Sequence, residues 1–165
     1  DSPEFIQFVT AQVMSAHEET ANAALRVVER DFGDRGVDLL IKWADGVPAR
    51  SRGRFNTSFT NLRARTDLSP ATRALLELRA ASKCEQKHVA LLRVRQSGDA
   101  RSLPLLYALQ TPTGCAPFGL GDCWGCLRQG TDLEDTIQAV ISRTGGAAPT
   151  PAAETDEDSD DSQAH

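Results

Sequence analysis

Aromatic side chains make up only 5% of this 165-residue chain, and methionine occurs once. The apolar share of 40% is therefore carried by Leu, Val, Ile and Ala, which suit helical interfaces. No run of 18 apolar residues occurs, so the sequence contains no membrane-spanning helix. No basic segment followed by an apolar stretch opens the chain, so no secretory leader is read and the cytoplasm is the expected compartment. There, four cysteines are expected to be thiols or ligands before disulfides. Lysine is scarce too, at three residues against fifteen arginines. Catalytic signatures are missing: no G-x-G-x-x-G, no Walker A sequence, no H-E-x-x-H, and none of His17, His88 and His165 in a triad spacing. The composition points away from catalysis and toward binding.

What the chain does have is segregated charge. Residues 1–47 carry a net −5, residues 48–101 a net +8, residues 102–145 a net −2 and the remaining tail −6. Such asymmetry favours a polyanion partner, or a tail that folds over the basic middle. Within the basic part, Arg50, Arg52, Arg54, Arg63 and Arg65 are interleaved with Phe55 and Phe59, with no acid among them. Arginines neutralise phosphates and phenylalanines stack on bases, so these seven residues are the candidate contacts to DNA or RNA. The bland alternative is a solvated basic loop anchored by its phenylalanines.

Three of the four cysteines lie in twelve residues, as Cys115-x7-Cys123-x2-Cys126. A glycine-rich loop with that many thiols is expected to be organised by a metal or a covalent link. Zinc needs four N or S ligands, so the candidate set is Cys84, Cys115, Cys123 and Cys126, with His88 as the alternative to Cys84. Zinc is the first cofactor expected, and an Fe–S cluster the second. One remote cysteine plus three close ones is similar to the arrangement in WhiB-like regulators, a resemblance that implies a cluster. The order of spacings differs from theirs, and their glycine-tryptophan turn is not matched. The ordinary alternative is a set of buried cysteines in an irregular loop.

The expected architecture is α+β and mainly helical. Ser2-Pro3-Glu4 is a helix start, and the stripe Ile6, Val9, Val13, Ala16, Ala24, Val28, Phe32 predicts one amphipathic helix over residues 3–32. A shorter helix is expected over Val37–Ala44, and another from Ser69-Pro70 to about Lys83. Residues 48–66 have no sustained helical stripe. Val89–Gln96 reads as a strand, and Leu103–Leu109 as its antiparallel partner or, because of Pro104, a helix start. A short helix over Thr131–Arg143 closes a domain of residues 1–145 that includes the basic segment 48–66 and the cysteine loop 113–127. Residues 146–165, poor in apolar side chains and rich in acids, are expected to be a disordered tail.

The functional expectation is a non-enzymatic, metal-stapled binding module, in its specific form a nucleic-acid-binding regulator. One alternative is a helical protein–protein adaptor or assembly subunit that pairs through the 3–32 helix. The other is a thiol or Fe–S redox sensor.

Overall fold

In the computed structural model of the chain, the described residues are 2–48, 52–112 and 122–145. They form eight α-helices and two short 3-10 turns, and contain no strand. The helices are α1 Pro3–Val13, α2 Glu18–Asp31, α3 Gly33–Gly46, α4 Gly53–Arg63, α5 Pro70–Ala80, α6 Cys84–Ser97, α7 Leu103–Gln110 and α8 Asp132–Thr144. The 3-10 turns are Ala100–Ser102 and Gly125–Arg128.

The expected two-stranded element is overturned, and the fold is all-helical rather than α+β. Residues 89–96 lie within α6, whose buried side chains are Lys87, Ala90, Leu91 and Val94, while Val89 and Leu92 are exposed. That burial follows the i, i+3, i+4, i+7 rhythm of a helix, and the alternation in V-A-L-L-R-V was coincidental. Leu103–Leu109 takes the helical option: Pro104 sits in the first turn of α7, and Leu103, Leu106 and Leu109 face inward. Residues 53–63 are also helical, although no stripe was visible there. The buried face of α4 is Phe55, Ser58 and Leu62, and the serine at its centre hides the period.

The single N-terminal helix is corrected as well. Ser2 caps α1 by accepting a hydrogen bond from the Phe5 N–H, but the helix stops at Val13 and the chain turns back through residues 14–17. A continuous helix of 30 residues would run about 45 Å, far longer than the bundle it must pack against. Folding it in two lets Val9 and Val13 of α1 meet Leu25 and Val28 of α2 in one cluster. At the next junction Gly33 has a φ of +52°, which ends α2 and redirects the chain into α3. Three residues on, a Cβ at Gly36 would lie 2.8 Å from the Val28 carbonyl oxygen, so only glycine lets α3 come this close to α2.

Two apolar clusters share α5. Leu76 joins the first, with Val13, Val28, Val37, Leu40, Trp43, Phe55 and Leu62. Ala74 and Leu78 join the second, with Leu91, Val94, Leu106, Leu127, Ile137 and Val140. Arg101 ties the halves together: its guanidinium bonds Asp38 of α3 at 2.8 Å, the Thr72 hydroxyl of α5 at 2.8 Å, and Asp99. Asp99 foremost, with Asp38, raises the Arg101 pKa above its ordinary value despite burial. Asp34 accepts the Ser69 N–H at 3.0 Å and so fastens α3 to the start of α5.

Cations from elsewhere in the chain cap the helix C-termini. Arg54 donates to the Val13 and Ser15 carbonyls at the end of α1, at 3.1 and 3.3 Å. Arg65 donates to the Glu29 and Arg30 carbonyls of α2, and Lys87 to the Leu78 carbonyl of α5 at 2.6 Å. Arg143 serves Arg95 and Gly98 at the end of α6, and Arg128 serves Leu109 and Thr111 at the end of α7. Each supplies positive charge where the helix dipole is negative and donors where carbonyls lack partners.

Candidate functional site

The sulfur cluster is best built from α6 outward. Cys84 opens α6, and Cys126 lies in the Gly125–Arg128 turn, which packs on the second core through fully buried Leu127. The two are joined by a disulfide with a Cα–Cα distance of 6.3 Å. Cys123 is also disulfide-bonded, and the Cys84 sulfur lies 3.8 Å from the Cys123 carbonyl oxygen. Cys115 lies outside the described residues. The expectation of reduced cysteines thus gives way to sulfur–sulfur bonding. Among the described residues, no group of three or more His, Cys, Asp and Glu is placed to hold a metal. His88, the alternative ligand, points its Nδ1 toward Asp132 at 3.7 Å.

Lys87 reinforces this corner. Its ammonium sits 4.9 Å from the Trp124 ring centre while it bonds the Leu78 carbonyl. Burial, with a smaller contribution from Arg79, lowers its pKa. Arg128 pairs with Asp122, and Asp122 accepts the Trp124 N–H at 3.1 Å. The loop is held by a covalent bond, a cation–aromatic contact and an ion pair, the pattern of a structural staple.

The basic segment divides differently. Arg50 lies outside the described residues. Phe55 is 0% exposed and has no face to offer a base, while Phe59 is half-buried beneath the Arg79 guanidinium, 5.1 Å from its ring centre. Arg54 and Arg65 are committed to the helix ends of α1 and α2, and Arg65 also pairs with Asp67. Arg52 and Arg63 remain exposed on one face of α4, and Arg52 reaches the Val47 carbonyl only at 3.4 Å.

That face forms a cleft of about 370 Å³ against α5, where Arg52, Asn56, Thr60 and Arg63 meet Arg79 over the flank of Phe59. No carboxylate lines it; Asp45, 2.6 Å from Arg79, stands outside its lining. It adjoins two neighbouring depressions that share Arg63 and add Arg73 of α5 and Arg93 of α6. Glu77 and Glu85 line the depression at Arg93 as well, and Arg93 engages Glu77. Arg63 and Arg73 make no ion pair among the described residues. Arg73, Arg79 and Arg93 lie apart from Arg50–Arg65 in the chain, so contiguity does not mark them. The +8 charge of residues 48–101, read on helix faces, was the available signal.

Elsewhere, Phe5 and Phe8 of α1 and Met14 just beyond its end are exposed, Phe8 to 60% of its surface, and Phe5 stacks on Phe32. No helix among the described residues is long and apolar enough to cross a membrane. Comparison with family models, with curated proteins and with solved structures finds no match for the chain.

Proposed function

We propose that this chain is a non-enzymatic helical binding module that grips the phosphate backbone of a nucleic acid in the α4–α5 arginine cleft. The observation that carries this reading is the convergence of Arg52, Arg63 and Arg79 on one concave surface whose lining contains no carboxylate. Arg73, which makes no ion pair among the described residues, extends the same charge along α5. Planar guanidiniums bond phosphate oxygens in pairs, and a cleft supplied by three helices fixes their spacing. Because Phe55 is buried and Phe59 is covered by Arg79, the contact is to backbone and carries no base stacking. Binding is then insensitive to sequence and steeply dependent on salt.

The test is fluorescence anisotropy of a labelled 20-nucleotide strand with the full chain at several salt concentrations. Three neutralised phosphates give a slope of log K against log salt of about −2 for single strands. The double variant Arg52→Glu/Arg63→Glu should abolish binding while its circular dichroism stays native. Unchanged affinity in that variant overturns the reading.

Two other readings each have an observation in their favour. The exposed Phe5 and Phe8 of α1, with Met14 just beyond its end, favour an adaptor that docks a protein through this helix, which light scattering with and without Phe8→Ser would register. The closeness of Cys84 to the Cys123 backbone favours a reduced state in which Cys84, Cys115, Cys123 and Cys126 bind zinc or a cluster. Elemental analysis with a free-thiol count separates that state from the disulfide form. The sulfur pairing itself favours an oxidising compartment over the cytoplasm.

A further inference from the structure

We infer that the arginine cleft has an occupant within the same chain: the acidic segment Glu154–Asp161, which competes there with phosphate. The inference rests on the cleft reading above and adds its regulation. The segment packs Glu154, Asp156, Glu157, Asp158, Asp160 and Asp161 into eight residues, and no Lys or Arg follows Arg143. Its charge is complementary to a cleft whose lining contains no carboxylate.

The geometry of the last helix makes the contact reachable. Arg143, in the last turn of α8, bonds the Gly98 carbonyl at 2.5 Å and the Arg95 carbonyl, so α8 ends against the end of α6. There Ser97 bonds the Pro70 carbonyl at 3.3 Å, which puts the start of α5 alongside, with Arg73 one turn on. From Gly145 to Glu154 the chain has nine residues, a contour of about 30 Å when extended. From Arg73 to Arg79 along α5 is only about 9 Å. These contacts set the end of α8 beside the start of α5, and the extended tail is longer than the Arg73–Arg79 row it would follow. A tether of this length places them at an effective concentration on the order of millimolar. Carboxylates and phosphate oxygens accept from the same guanidinium fork, so occupancy by one excludes the other.

The experiment compares the full chain with a full-length variant in which all six acids become amides: E154Q, D156N, E157Q, D158N, D160N and D161N. The first readout needs no ligand and follows the side-chain Nε–Hε resonances of Arg52, Arg63 and Arg79 by NMR at low and high salt. The two proteins should differ at these resonances at low salt and converge at high salt. The second readout is the anisotropy assay with the labelled strand, in which the amide variant should bind at least tenfold more tightly at low salt. In an Arg52→Gln/Arg63→Gln background, neutralising the tail should change the remaining Arg79 resonance and the residual affinity far less, which separates docking from a general loss of negative charge. Coincident resonances in the two proteins overturn the inference, and a strand that still binds would leave the cleft reading intact. Shifted resonances with no strand binding by either protein would support the tail contact and sink the nucleic-acid reading.

Discussion

Removing the Cys84–Cys126 bond tests whether it is a structural staple. The linked residues are 42 apart in sequence, so the bond closes a loop of some forty residues in the unfolded chain. The chain-entropy estimate for a loop of that length is about 13 cal/mol/K, or about 4 kcal/mol at 25 °C. The native state should tolerate the loss, because the Lys87–Trp124 contact, Arg128 on the Leu109 carbonyl and buried Leu127 hold the turn without sulfur. The double variant Cys84→Ala/Cys126→Ala should therefore stay folded at 25 °C, with its urea midpoint lowered and its m-value raised, because the unfolded chain without the cross-link exposes more surface. The corresponding drop in Tm is about 10 °C for a domain of this size. Trypsin digestion without reduction gives an independent check: the fragment Cys84–Lys87 should stay attached to Ser102–Arg128. A stability loss under about 1 kcal/mol, well below the usual range for a native disulfide, would refute the staple. Release of free Cys84–Lys87 would refute the pairing itself.

The helical assignment of residues 84–97 makes opposite predictions for neighbouring side chains. Val89→Ala, at an exposed helix position, should be neutral or stabilise by a few tenths of a kcal/mol, whereas Leu91→Ala in the second core should cost about 2–5 kcal/mol, both read from urea midpoints. A large loss at Val89 would reinstate the strand. Asp34 carries a pH signature: although burial opposes it, its hydrogen bonds with Ser69 and Thr72 hold its pKa below the ordinary 3.8. A lowered carboxylate pKa stabilises the fold at pH values above 3.8, and that contribution is lost as pH falls through the lower folded value. Asp34→Asn should flatten this acid limb of the urea midpoint, and an unaltered profile would remove Asp34 as a contributor.

Much of the helical order was legible because local chemistry decides it. Ser2 and Ser69 both accept the N–H of the third residue of their helix, and Pro follows each, as the serine–proline pairs suggested. The last helix starts at Asp132 after Thr131, with three acids in its first turn. What escaped the sequence depends on distant partners. Residues 14–17 contain no proline or glycine, and the reversal there is stabilised by Arg54, 39 positions beyond Ser15. The strand expected at 89–96 failed because alternation over a few residues cannot show which side chains the neighbouring α5 and α8 will cover. The cysteine spacing brought the sulfurs of Cys84 and the loop into one argument, yet a metal and a disulfide both ask only that sulfurs converge. The choice is made by geometry that spacing does not contain.

The abundance of arginine in this chain has a structural use distinct from binding. Among the described residues, left-handed glycines follow only α2 (Gly33) and α8 (Gly145); α1, α5, α6 and α7 borrow a cation, and α2 borrows one as well. Such a cation is fixed by the fold, bonded to carbonyls and poorly placed to meet a ligand. Arg54 and Arg65 belong to that group, so nearness in sequence to Arg52 and Arg63 was no guide to their role. Arg63 and Arg73 cap no helix end and make no ion pair among the described residues, and both open on the depressions along α5. Arg79 gives one nitrogen to Asp45, and its guanidinium sits over Phe59 at the lining of the same cleft. Charge left without an ion pair among the described residues, on Arg52, Arg63 and Arg73, has thus collected along α4 and the adjoining side of α5. Replacing a capping arginine should lower stability and leave salt-dependent binding unchanged, whereas replacing Arg63 should do the reverse.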